Sequence, residues 1–574
     1  MIKDITILIG GAAGQGIQTI GSLLASVCHN AGLFIFSMDD FQSRIRGGHS
    51  FHLLRISNQP LSAPTLKPDI IVAIDKKTHD FHKEQLSPNG IVLINNSSDT
   101  GYDSNVYPID LERLAKEAGG VISMNTVAAG CVLAALGASF DQFKPVLQVL
   151  FASKGEAVLN LNLEAGKKGI QAGQHLNFFQ QFDFNPKAHH HKVMSGAMAA
   201  ALGALAADCR FFPFYPMSPG TPIISSAALY ADQLPIVIEQ AEDEIAAVNM
   251  AIGASFAGVR SLTATSGGGF CLMTEGLGLS AMTETPIVII NAQRPGPATG
   301  LATRTAQADL LFSIHASQDE FPRFVFAPGG VLETFQAVKK AFKLSERYQV
   351  PAIVLMDQFL VDSARTQIDE FKNGDSHISV IDHEPMSDQA GLYHRYQMTP
   401  DGISPRKIPC ESSALVRAAG NEHTPEGLTT EDPELRTLMV QKRFKKLNHM
   451  KQEMNMPSIF CPESSFFLVG WGSSKGSIME ACLHLREEGI DAGWIIFEDL
   501  WPLDEQQLKK QLENKKLILV EGNTTGQLGT LIRQMTGVDY HDAILKFDGR
   551  PIYPEYIIKH IKALPGLTKG QMKG

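Results

Sequence analysis

Short uninterrupted apolar runs alternate along the chain with longer stretches of helical periodicity, and the alternation starts afresh three times. The first stretch carries apolar runs at Ile5–Ile9, Leu33–Phe36, Ile70–Ile74 and Ile91–Ile94. Apolar side chains at successive positions suit strands covered on both faces. Leu111–Ala118 and Thr126–Leu136 predict helices between and after them. In the second stretch, strands are predicted at Phe211–Tyr215, Ile236–Glu239, Ser261–Thr265, Pro286–Asn291, Phe324–Phe326 and Ala352–Met356. Helices are predicted there at Gly196–Ala207, Glu242–Phe256, Phe270–Ala281 and Val331–Ser345. The third has strands at Phe466–Val469, Trp494–Phe497 and Leu517–Val520, with helices at Lys475–Glu487 and Gln527–Gln534. The pattern predicts the α/β class: several doubly wound, mainly parallel sheets with helices on both faces.

The breaks in this pattern divide the chain into an α/β domain at 1–173, a linker at 174–192, a second α/β domain at 193–363, an irregular and helical connecting arm at 364–464, and a C-terminal α/β domain at 465–574. The linker holds three consecutive histidines, His189 to His191. Adjacent residues do not converge on one point in a regular element, so a solvated linker is preferred to a metal site. The Lys- and Arg-rich helix near Pro433–Met454 reads as a solvated face of the arm.

Composition narrows the partners. A chain of 574 residues exceeds one hydrophobic core. With 44% hydrophobic and 19% charged residues it reads as a soluble, folded α/β protein whose scattered thiols fit a reducing cytoplasm, and a net charge of −10 argues against nucleic acid or an anionic membrane. Seven cysteines stand with no CxxC pair, so neither an iron–sulfur cluster nor a metal site is expected in this chain. The opening MIKDITILIGG lacks the pattern of a signal peptide, and no apolar run is long enough to span a bilayer.

Four motifs carry candidate chemistry. Gly10-Gly11-Ala12-Ala13-Gly14-Gln15-Gly16 joins a strand to a helix. Its spacing is neither GxGxxG nor a P-loop, which leaves two readings: a tight turn, or an anion loop formed by Gly11, Gly14 and Gly16 with Arg44 and Arg46 downstream. Tyr215-Pro216-Met217-Ser218-Pro219 is a stiff loop at a strand end, a place for a ligand or simply a turn. Glu242-Asp243-Glu244 opens a helix, where acidic residues also serve as plain dipole partners. Only Glu244 shares a face with Ala247, Val248, Ala251 and Ser255, which would desolvate its carboxyl and raise its proton affinity. Thr265–Glu275 and Gln293–Gln307 follow two successive strands with glycines and prolines. There Arg294 can fork onto a carboxylate and Thr303 can donate a hydrogen bond.

Tyr215–Pro219, Thr265–Glu275 and Gln293–Gln307 resemble signatures of the alpha subunit of the 2-oxoacid:ferredoxin oxidoreductases. The Gly10–Gly16 loop and Arg44–His49 resemble the family's gamma domain, fused in front, and Val520-Glu521-Gly522-Asn523 resembles its second alpha domain. The resemblance implies thiamine diphosphate, with its pyrimidine against Tyr215, Pro216, Met217 and Glu244. It makes Glu244 the catalytic carboxylate that shares a proton with the ring nitrogen. Ser218, Arg294 and Thr303 then contact the 2-oxoacid, and Arg304 a distal carboxylate. The family loop reads Tyr-Pro-Ile-Thr-Pro, so Met217 and Ser218 depart from it while a hydroxyl is kept.

No Gly-Asp-Gly segment occurs in the chain. The resemblance therefore places Mg²⁺, the diphosphate contacts and an iron–sulfur cluster in a beta subunit, within a hetero-oligomer such as (alpha-beta)2. The implied reaction interconverts 2-oxoglutarate plus coenzyme A with succinyl-CoA plus CO2, toward decarboxylation or CO2 fixation, with ferredoxin as electron carrier. A pyruvate- or indolepyruvate-type subunit and a non-catalytic nucleotide-binding scaffold are the alternatives.

Overall fold

The structure is a computed structural model that describes residues 4–42, 48–96, 103–176, 182–368, 393–410 and 414–565. The chain forms two compact units. Residues 4–194, with 363–368 and 553–555, make the first. Its eight-stranded sheet runs Val106–Ile109, Ile91–Asn95, Ile70–Ala73, Asp4–Ala12, His49–Ser57, Phe34–Asp40, Ala364–Ile368 and His191–Ser195. The first four strands are mutually parallel. His49–Ser57 is antiparallel to both of its neighbours, so this sheet is mixed. That strand was not foreseen, because HSFHLLRIS reads as polar and charged. Its Arg55 is buried and satisfied by Asp4 and by the carbonyl of Ala63, 2.6 Å away.

Helix Ile17–Asn30 turns Ile17, Ile20, Leu24 and Val27 into this core at spacings of three and four. Met124–Leu136 is buried from Thr126 to its end. Gly130 and Gly169 let it meet helix Glu156–Gly173 nearly backbone to backbone, since a Cβ on Gly169 would run into the carbonyl of Val127. No single helix among the described residues is long and apolar enough to cross a membrane.

Most of residues 182–192 are exposed, His190 among them, but His189 and His191 are half-buried. His189 Nε2 lies 2.6 Å from the carbonyl oxygen of His29, and His191 opens a strand with its ring against Phe34. Imidazoles are apolar enough in ring and polar enough in edge to dock on a half-buried surface. Burial, with the neighbouring His189, holds His29 below the usual histidine value.

The second unit spans residues 195–362 and most of the chain beyond 393. One sheet runs Leu262–Thr265, Ile287–Gln293, Pro351–Asp357, Phe324–Phe326 and Asp499–Trp501, parallel except for the last strand. A short parallel pair, Phe211–Phe214 with Val237–Gln240, is bridged to Ser261 beside the first of these. A second five-stranded sheet runs Ser458–Phe460, Ala492–Phe497, Phe466–Trp471, Leu517–Glu521 and Asp542–Leu545. Leu262–Thr265, Ile287–Gln293 and Pro351–Asp357 are buried at every position, as their apolar runs predict.

Helix Pro433–Glu453 corrects the reading of a solvated arm. Met439, Lys442, Arg443, Lys446 and Met450 form a buried face. The Lys442 and Lys446 ammonium groups lie 2.5 and 2.6 Å from the two carboxyl oxygens of Glu284, and all three side chains are 1% exposed. Arg395 closes the cluster through the carbonyls of Thr283 and Glu284. Burial works against the Glu284 charge, but Lys446 and Lys442 overcome it and hold the carboxyl well below the ordinary range. The cations sit at i and i+4, so they share one face, and a distant acid rather than water satisfies them.

Candidate active site

The loops that follow parallel strands Phe211–Phe214, Leu262–Thr265 and Ile287–Gln293 contain the residues singled out from sequence. A ligand site at strand carboxyl ends is where such sheets usually place one. Tyr215, Pro216 and Ser218 are exposed, while Met217 is half-buried. The Met217 methyl faces Gly268, and its sulfur lies 3.8 Å from the Thr265 hydroxyl. The loop rests tightly on the strand end: a Cβ on Gly220 would come within 2.9 Å of the Thr265 carbonyl. Arg294 Nη1 donates to the Ser218 carbonyl at 2.7 Å, which brings these two candidates together. The Arg294 Nε–H is buried without a partner.

Glu242, Asp243 and Glu244 separate by role. Glu242 is exposed. Asp243 caps the helix Glu244–Phe256 by accepting from the backbone N–H of Ala246 at 2.7 Å. Glu244 is 3% exposed, on the face that also buries Ala247, Val248, Ala251 and Ser255. Its Oε1 has no hydrogen-bond partner. A buried carboxylate oxygen left without a donor is costly, so a donor from a ligand is the chemistry this position fits. The positive end of its own helix supports its charge.

Thr303 and Arg304 are half-buried, in a turn where the Arg304 N–H donates to the Leu301 carbonyl. Arg304 lies against Gly549, where a Cβ would approach it to 3.1 Å. Gln307 then ties the segment to the second sheet: its side chain donates to Trp471 O at 2.7 Å and accepts from Gly522 N–H at 2.9 Å. Glu521 is fully buried there and accepts from Trp471 Nε1, Asn523 and the Leu528 N–H. Burial pushes its carboxyl up.

Several polar residues of this region escaped the sequence reading. Asn291 donates to the Asp309 carboxylate at 3.1 Å. Burial raises the Asp309 carboxyl, with Asn291 working against it. Asp357 ends the central strand, accepts from Ser473 and from the Leu360 N–H, and is pushed up to about 6 by burial. For Asn291 and Asp357 the sequence signal was position: each stands at or just beyond the carboxyl end of a predicted strand.

The Gly10–Gly16 loop belongs to the first unit. Gly11 lies within the strand Asp4–Ala12, and Gln15 folds back beneath it to accept from the Ala12 N–H at 2.7 Å. Gly14 (φ 93°) faces open space. Gly16 (φ 73°) precedes the first helix in the left-handed region, and a Cβ there would collide with Asn125. The hydrogen bonds are those of a tight turn, and the open face at Gly14 lies over a helix start. Arg44 and Arg46 lie outside the described residues.

Comparison with known proteins accounts for both units. The family "Pyruvate flavodoxin/ferredoxin oxidoreductase, thiamine diP-bdg" matches residues 202–442, and "Pyruvate ferredoxin/flavodoxin oxidoreductase" matches residues 6–172. A 2-oxoacid:ferredoxin oxidoreductase subunit alpha from Saccharolobus solfataricus is 30% identical over 99% of this chain and 98% of its own. The 2-oxoglutarate synthase subunit KorA of Methanothermobacter marburgensis is 30% identical over 65% of this chain and 98% of its own. A solved 2-oxoglutarate:ferredoxin oxidoreductase from Magnetococcus marinus, with 2-oxoglutarate, coenzyme A and succinyl-CoA bound, is 32% identical. It superposes with a TM-score of 0.90 over 98% of this chain and 99% of that one. The chain belongs to the thiamine-diphosphate-dependent 2-oxoacid:ferredoxin oxidoreductases, as an alpha subunit.

Proposed function

We propose that this alpha subunit serves an enzyme interconverting 2-oxoglutarate and coenzyme A with succinyl-CoA and CO2, with ferredoxin carrying the electrons. The observation that carries the reading is Glu244: a buried carboxylate with an oxygen free of any donor, at the carboxyl edge of a parallel sheet. The bound 2-oxoglutarate of the Magnetococcus marinus structure and the 2-oxoglutarate synthase name of the KorA relative support the choice of substrate.

Thiamine diphosphate, when bound, supplies the carbanion chemistry. Glu244 holds and shares a proton at its Oε1, while Tyr215, Pro216 and Met217 shape the surface beside it. Arg294, tethered to the Ser218 carbonyl, keeps an unpartnered Nε–H for a carboxylate, and Thr303 adds a donor. Arg304 meets the distal carboxylate of a five-carbon diacid. The open face at Gly14, with Gly11, Gly16, Arg44 and Arg46, takes a phosphate of coenzyme A. A beta subunit brings Mg²⁺, the diphosphate contacts and the iron–sulfur cluster, in a cytoplasmic hetero-oligomer such as (alpha-beta)2. The missing Gly-Asp-Gly segment supports that division of labour.

The experiment is purification of the assembled complex, cofactor analysis, and coenzyme A-dependent ferredoxin reduction with 2-oxoglutarate, pyruvate and indolepyruvate. The reading expects thiamine and a preference for 2-oxoglutarate. A preference for pyruvate or indolepyruvate removes the substrate assignment, and a complex without thiamine or 2-oxoacid turnover removes the catalytic one.

A further inference from the structure

The Glu244 carboxylate is seated by two residues to which the sequence motif assigns no role. A Cβ on Gly269 would stand 2.5 Å from Glu244 Oε1 and 2.8 Å from its Cγ, and closer still to the Thr265 hydroxyl oxygen. Real Cβ atoms essentially never make such contacts, so only glycine leaves that space to the carboxylate and the hydroxyl. Both oxygens lie within about 2.5 Å of one point, which makes them neighbours. Thr265 is fully buried and Glu244 nearly so, so bulk water does not compete for either.

Their hydrogen bonding is complementary. The Thr265 hydroxyl reaches the Ser266 carbonyl at 3.5 Å and the Met217 sulfur at 3.8 Å, both weak acceptors at these distances. Glu244 Oε1 has no donor. A hydroxyl with poor acceptors therefore sits near a carboxylate oxygen with none; no hydrogen bond joins them here, and rotation of the Thr265 side chain about its Cα–Cβ bond moves the hydroxyl oxygen.

We propose that Gly269 and Thr265 are positioning residues for Glu244: the glycine clears its seat, and the threonine hydroxyl turns to hold Oε1 when the carboxylate is charged. The proposal rests on the reading of Glu244 as the proton-sharing carboxylate. The hydroxyl keeps its own proton throughout and acts only by orienting the neighbouring oxygen.

The test uses the assembled enzyme with Thr265→Val, Thr265→Ser, Gly269→Ala and Glu244→Gln. Thr265→Val keeps the shape and loses the donor, so deuterium exchange at the thiazolium carbon should slow by about tenfold, as for loss of a hydrogen bond to a charged group. Thr265→Ser should exchange at close to the parent rate. Thiamine affinity and thermal unfolding should be unchanged in both. In the cofactor-free enzyme, the Glu244 carboxylate infrared band, assigned by subtracting Glu244→Gln, should shift in Thr265→Val and not in Thr265→Ser. Gly269→Ala should shift the band and slow exchange; Thr265→Val keeps the test decisive if that variant folds poorly. Parent-rate exchange in Thr265→Val, or equal losses in the Val and Ser variants, would overturn the proposal. Parent-rate exchange in Glu244→Gln would remove the reading of Glu244 itself, and the proposal with it.

Discussion

Glu284 accepts from two ammonium groups where water does not reach, so Glu284→Gln leaves Lys442 and Lys446 facing a neutral amide. Removing one member of a buried ion pair typically costs about 3–5 kcal/mol, because the remaining charge is stranded. The lower end applies here. The glutamine carbonyl can still accept one bond, and burial has already brought Lys446 down to about 8, which eases loss of its proton. We expect a loss of about 3 kcal/mol at neutral pH, concentrated in the docking of helix 433–453. The folded carboxyl lies well below its ordinary 4.5, so its stabilisation is complete above pH 4.5 and fades only as pH falls through the lower, folded value. The deficit of the variant should therefore shrink in strong acid. Glu284→Leu with Lys442→Met and Lys446→Met removes all three charges and should be neutral or more stable by about 1–4 kcal/mol. Thermal unfolding, with hydrogen exchange across 433–453, measures both. A loss under about 1 kcal/mol with unchanged protection of that helix would refute the buried-cluster argument. Glu284 also stands just before strand Ile287–Gln293, which delivers Arg294, so a loosened cluster should raise the KM for the 2-oxoacid as well.

Arg294→Ala should weaken the apparent affinity for the 2-oxoacid by roughly 10–100-fold, the value of a charge-assisted contact, while thiamine loading is retained. Steady-state kinetics beside cofactor titration checks it. Gly16→Ala forces a Cβ into the left-handed region against Asn125 and should destabilise the first unit by about 2 kcal/mol. Coenzyme A titration should show weaker binding, with thiamine binding unaltered. Asp357, raised to about 6 from 3.8, binds its proton more tightly when folded, so its contribution is complete below 3.8 and is lost as pH rises through 6. Asp357→Asn should accordingly stabilise the second unit at pH 7.5 and not at pH 4, as read by unfolding at the two pH values.

The parts of the fold legible in the sequence are those whose burial is complete. Ile70–Ala73, Ile287–Gln293 and Pro351–Asp357 are apolar on both faces because helices cover both sides of their sheets. His49–Ser57 was invisible because Arg55 and two histidines break its pattern, and Arg55 is tolerated there because Asp4 and the Ala63 carbonyl accept from it. Helix Pro433–Glu453 read as solvated because the acid that neutralises its lysines is more than 150 residues away in the chain. The same distinction holds at the site. Glu244 stood out because helical periodicity aligns it with Ala247, Val248, Ala251 and Ser255, while Glu242 falls before the Asp243 cap. Asp309 carries no local signal, and Thr265 and Gly269 lie in a legible motif whose individual roles do not show: their neighbours exist only once strands and helices from separate segments have assembled.

Glu244→Gln tests the central claim most directly. It preserves size and most hydrogen bonding while removing the carboxylate that shares a proton. In the assembled complex, deuterium exchange at the thiazolium carbon and 2-oxoacid decarboxylation should both fall by about 10²–10⁴-fold, with assembly and cofactor binding intact. Glu242→Gln, altering an exposed side chain just before the helix N-cap, should leave both rates near those of the parent. Equal and small losses in the two variants would contradict the account and reduce the acidic cluster to a helix terminus.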